Sequence, residues 1–213
     1  MNAPTTGWLA LHGGSGWLAS PDVARRVLGT ARTLTVVPTA AAFEDPASAT
    51  ASAVDWFAPL GVAVVTSGVL TRHDANDPAH AALIASAEAL LFIGGQPLHL
   101  RSVMAESLAW TAVLDAFARG VPVIAEGAAG SALGDPMLDP RGGAFTIGLG
   151  LVKDMAILPG SDTWLADRRA RTLRLAGSNA LALLPSTTTL LRSPAGEWSS
   201  EGGSGVTFVG NPV

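Results

Sequence analysis

The sequence predicts an α/β fold of three layers, α/β/α, with a mostly parallel central sheet and a C-terminal β-hairpin. Three observations predict it. Short apolar runs, too hydrophobic to face water, alternate with Ala-rich or amphipathic stretches of helical length. Several of those stretches open on a capping residue followed by proline: Ser20-Pro21, Asp45-Pro46 and Asp77-Pro78. The 213 residues are 48% hydrophobic and only 14% charged, enough for a core that needs no disulfide or metal staple.

The buried strands read in order as Gly7 to His12, Thr33 to Pro38, Val62 to Thr66, Ala89 to Ile93 and Val121 to Ala125. Between them the caps start three helices, and Pro97 starts a fourth that breaks near Trp110. Residues 134–143 form a turn-rich loop. Phe145 to Leu149 and Met155 to Leu158 read as further strands, and Asp162 to Leu175 as a helix bearing Trp164 and Arg168 on overlapping turns. Leu181 to Leu184, Thr187 to Leu191 and Val206 to Val209 close the fold, with Gly196 in the turn between the last two. No linker or internal repeat divides the chain, so residues 1–213 read as one domain.

Composition excludes whole classes of chemistry. With no cysteine there is no disulfide framework, zinc ribbon, iron–sulfur ligation or thiol nucleophile. A net charge of −4 with scattered arginines gives no nucleic-acid or anionic-membrane footprint. No segment reaches the ~20 apolar residues of a membrane span, and Met1 to Thr6 lacks the basic and apolar regions of a signal peptide. A cytoplasmic protein is the expectation.

Three stretches carry candidate chemistry. Gly14-Ser15-Gly16-Trp17-Leu18-Ala19 has the dinucleotide spacing after a strand, but the second strand ends in Val37-Pro38-Thr39-Ala40 without the acid that would hold a ribose. A plain glycine-rich turn, with no cofactor, is the better reading. The histidines His12, His73, His80 and His99 show no zinc spacing, so no metal site is expected. Gly127-Ala128-Ala129-Gly130-Ser131-Ala132, after a buried strand, has the small residues of a nucleophile elbow. Its apex reads as Ala128, which has no nucleophilic atom.

Taken together, five ordered segments resemble the dipeptidase E and cyanophycinase serine peptidases of the class I glutamine amidotransferase-like superfamily. They are Phe92-Ile93-Gly94-Gly95-Gln96-Pro97, Gly127 to Ala132, Ala144 to Leu151, Ile157 to Trp164 with the helix after it, and Leu184 to Leu190 with Gly196-Glu197-Trp198. The resemblance implies a flavodoxin-like, glutamine amidotransferase-like layering.

It also implies a serine, histidine and acid triad, whose positions here read Ala128, Gly160 and Ser186. Acyl transfer through serine needs a hydroxyl, a base and an acid that orients the base, and none of the three is in place. The expectation is therefore a non-catalytic homologue with no catalytic residue and no cofactor. Gly94, Gly95, Gln96 and Ala129 would line an oxyanion-like nest taking a small carboxylate or acidic peptide. A homodimer is compatible with this reading. The alternative is a hydrolase with a relocated nucleophile, Ser131, served by His12 or His99; a third is an unrelated ligand-binding role on the same fold.

Overall fold

The computed structural model describes residues 6–210, so all but the last residue of the opening stretch read for a targeting signal lies outside it. β1 (Leu9–His12) is buried throughout and leads through a glycine loop to α1 (Pro21–Leu28). Ser20 caps that helix by accepting the Val23 amide, with Pro21 pre-set in the first turn. β2 (Thr33–Val37), α2 (Pro46–Phe57) and β3 (Ala63–Thr66) follow, α2 being capped by Asp45. α3 (Arg72–Ala75) is one turn held by a Thr71–Asp74 capping box, and α4 (Pro78–Ala85) starts from the Asp77 cap. β4 (Leu90–Phe92), α5 (Pro97–Met104), α6 (Leu108–Ala118), β5 (Val123–Glu126) and α7 (Gly127–Leu133) complete the first part.

The second part is richer in strands: β6 (Gly134–Asp135), β7 (Met137–Leu138), β8 (Phe145–Thr146), β9 (Val152–Lys153) and β10 (Met155–Pro159). α8 (Ala166–Ala176), β11 (Ala180–Leu184), β12 (Thr189–Arg192), β13 (Trp198–Glu201) and β14 (Thr207–Val209) end it.

The central sheet has seven strands in the order β13-β12-β1-β5-β4-β2-β3. From β1 to β3 every pair is parallel; β12 and β13 add antiparallel at the other edge. Side chains alternate between the two faces. Leu9 and Leu11 join the core beneath α4 to α7, while Ala10 joins the core beneath α1 and α2. Phe57 and Phe92 are fully buried, one in each core, a burial of this kind being worth about 1.5–3 kcal/mol per side chain.

Several features depart from the expectation, the first being that β3, expected to be buried, is exposed at the edge of the sheet. A second, five-stranded sheet, β14-β11-β10-β6-β9, packs against α8 around Leu158, Ala176, Leu181 and Leu183. The helix after Pro97 breaks at Ala105 to Ser107 rather than Trp110. There Glu106 takes a left-handed φ of 58°, Ser107 caps α6 and Arg72 donates to the carbonyls of Val103, Ala105 and Glu106. Strand pairing after Phe145 stops at Thr146, because Gly148 passes so close to Gly134 that a Cβ would lie 1.7 Å from its carbonyl oxygen. The turn at Gly196 leads into β13, an additional strand, and α8 begins at Ala166, leaving Thr163 and Trp164 to border a cleft.

Candidate functional site

The parallel strands β1, β4 and β5 end on one edge of the sheet, and β10 reaches it from the second sheet. In open α/β sheets this carboxyl edge is where ligands bind. A cleft of about 350 Å³ opens there, lined by Gly13, Gly127, Ala128, Gly160, Trp164 and Arg168, with Ser131 in its wall. The structure thus brings Ala128, Ser131 and Gly160 to one cleft. It does not bring Gly94, Gly95 or Gln96 into the lining, and Ala129 is fully buried.

The strand-to-helix turn is tight, but its apex is one residue earlier than expected. Gly127 carries the left-handed φ of 54°, whereas Ala128 already lies in α7 with ordinary backbone. Only glycine takes that conformation without steric cost. Glycine and alanine are both small enough for such a turn, so size alone could not place the apex.

The expected anion nest is already engaged. Glu126, the last residue of β5, accepts the Gly94 amide, and the neighbouring Glu44 carboxylate lies against Gly95, 2.7 Å from where a Cβ would stand. Gln96 gives its amide to the Ala40 carbonyl. Burial, and then the nearby Glu44 charge, push the Glu126 carboxyl up to about 7, while the Gly94 hydrogen bond works the other way. The Glu44 carboxylate repels an incoming anion, and Glu126, once ionised above about pH 7, adds to that repulsion beside the Gly14–Gly16 loop. Glu126 was missed in the sequence; the available signal was an acid directly ending the apolar run Val121 to Ala125.

The positions expected to carry a base and an acid hold Gly160 and Ser186. Gly160 has a φ of 60°, and a Cβ there would lie 3.1 Å from Thr163 Oγ1. Ser186 donates its amide and its hydroxyl to the two oxygens of Asp162, each at 2.7 Å. The serine hydroxyl foremost, with its amide adding to it, holds Asp162 below its ordinary range against an opposing effect of burial.

The cleft's cation is Arg168. Its guanidinium stacks over the Trp164 ring at 4.1 Å, and its buried Nε has no hydrogen-bond partner. Asp139 lies close enough to feel Arg168 but is gripped by Arg141 through paired bonds of 3.0 and 2.7 Å. The Ser131 hydroxyl in the cleft wall is likewise buried and unpartnered.

Among the described residues no histidine lines the cleft. His12 Nδ1 sits 2.9 Å from Thr189 Oγ1, and burial holds its ring below the usual histidine range. His99 Nε2 lies 2.9 Å from the Leu70 carbonyl. Neither histidine serves Ser131. No group of three or more metal-ligating side chains occurs among the described residues, and no helix is long and apolar enough to cross a membrane.

No family model matches the chain, and no curated protein does. Solved structures do. A peptidase from an acI-B1 Actinobacterium superposes with a TM-score of 0.85 at 21% identity, over 97% of this chain and 92% of that one. The chain has the fold of a peptidase. A candidate Peptidase E protein from Listeria monocytogenes EGD-e gives a TM-score of 0.71 at 14% identity, over 93% of this chain and all of that one. At these identities the likeness is one of fold, and the cleft has to be read from its own residues.

Proposed function

We propose that the chain is a non-catalytic homologue of dipeptidase E-type serine peptidases whose cleft binds a small carboxylate or acidic peptide. The observation that carries this reading is Arg168: a guanidinium stacked on Trp164, its Nε unpartnered, in a cleft that offers no nucleophile–base pair. Such a group is shaped for two-point contact with a carboxylate. The expected nest of amides is replaced by this side chain as the anion's partner. On the same reading the chain is one cytoplasmic domain of glutamine amidotransferase-like layering, supported by helices on both faces of the seven-stranded sheet.

Calorimetric titration with glutarate and with an aspartyl dipeptide tests it. Binding is expected in the native chain and ~10–100-fold weaker in Arg168→Gln, the worth of charge-assisted hydrogen bonds. Equal affinity in both would overturn the assignment.

The unpartnered Ser131 hydroxyl favours a second reading, a hydrolase with a relocated nucleophile. A fluorophosphonate probe separates the two. Labelling that disappears in Ser131→Ala supports the hydrolase; no labelling supports the non-catalytic reading.

A further inference from the structure

β3 is the last strand of the seven-stranded sheet, and among the described residues no strand pairs with its outer edge. The amides of Ala63 and Ser67 bond to β2, at Arg32 and Val36. By the alternation of a parallel strand, the amides and carbonyls of Val64 and Thr66 point outward. Exposed edges are ordinarily guarded by charge, proline or a bulge. From Leu60 to Thr71 there is no charged residue and no proline, and Val65 is 46% exposed.

α2 runs beside the strand and continues the neutral surface. Of the 25 residues from Pro46 to Leu70 only Asp55 is charged, and 20 are exposed or half-buried. A groove of about 500 Å³ separates helix from strand, lined by Pro46, Ala51, Val54, Gly68 and Leu70 among others and by no charged side chain.

The geometry points to a second copy of this chain as the occupant of this edge: two β3 strands pair antiparallel about a two-fold axis, Val64 against the partner's Thr66, with the α2 helices alongside. A two-fold pairing is self-complementary by construction, because each strand supplies the donors and acceptors that the other lacks. The neutral surface has the extent of one side of an ordinary interface, ~20–30 residues. It carries no charge pattern by which a different, charged partner would be selected.

Sedimentation velocity on the full chain tests this. The native protein should sediment at twice its 21.6 kDa chain mass. Val65→Lys, which sets like charges across the axis, should raise the dimer dissociation constant at least ~100-fold while leaving the far-ultraviolet dichroism unchanged. Val64→Pro, which removes an outward amide, should do the same. Hydrogen exchange on the native chain is independent of either variant: the Val64 and Thr66 amides should be protected in proportion to dimer. A native monomer at ~100 µM, a dimer indifferent to both substitutions, or open-strand exchange at those two amides overturns the proposal.

Discussion

Ser186 donates both its backbone amide and its hydroxyl to Asp162, so the two residues form one closed hydrogen-bonded unit. The carboxylate that Ser186 holds stands two residues beyond Gly160 in the chain. Ser186→Glu therefore sets a second carboxylate against the first. A loss of ~1 kcal/mol is expected in urea unfolding, mostly restored by adding Asp162→Asn. Strictly additive costs would show that the two positions do not meet.

Rebuilding a triad depends on which residue is the apex. With Gly160→His and Ser186→Glu in place, Ala128→Ser should add nothing to hydrolysis of an activated ester, because Ala128 follows the turn. Gly127→Ser in the same background should add a measurable rate, since the left-handed residue is the one an elbow presents. The reverse ranking would return the apex to Ala128.

Glu126 makes stability depend on pH in an unusual sense. Its folded pKa, about 7, stands above the ordinary 4.5, so the folded state holds the proton more tightly. Its contribution is present at pH 4.5 and lost as pH rises through 7. Glu126→Gln should stabilise the chain by ~1–3 kcal/mol at pH 8 and change little at pH 4.5. Urea midpoints at the two pH values check this; an equal shift at both would contradict it.

His12 acts in the opposite direction. Burial depresses its folded pKa below 6.5, so the unfolded state takes up the proton first and stability falls as pH drops below that value. In the Glu126→Gln background the urea midpoint should decline from pH 6.5 downward. Adding His12→Gln, which keeps a polar partner for Thr189, should flatten the decline.

Gly148→Ala tests the close approach that ends β8. A methyl group 1.7 Å from the Gly134 carbonyl forces a backbone shift where the chain enters β6. A loss of ~2–4 kcal/mol is expected, of the order of overpacking with a broken backbone contact. A melting temperature within a degree of the native chain would show that the segment yields freely.

The parallel half of the fold was legible because its signals are local. The buried strands β1, β2, β4 and β5 are continuous apolar runs, though β3 shows the same pattern while exposed at the sheet edge, and Ser20-Pro21, Asp45-Pro46 and Asp77-Pro78 mark helix starts. The second sheet was legible only in β10, β11 and β14, because β6 and β9 are two-residue strands set by tertiary contact rather than by pattern. In the cleft, motif order pointed to Gly160 and Ala128. The sign of φ at Gly127, the inward turn of Glu126 and the stacking of Arg168 on Trp164 belong to three dimensions. Arg168 and Trp164 were visible only as neighbours on overlapping turns.

The glycine at the apex also fixes how readily this scaffold can change. A side chain at a left-handed position costs ~1–2 kcal/mol, and position 127 now carries none of that strain. Any side chain placed there starts from a less stable protein, so position 127 accepts one only where the rest of the fold has stability to spare.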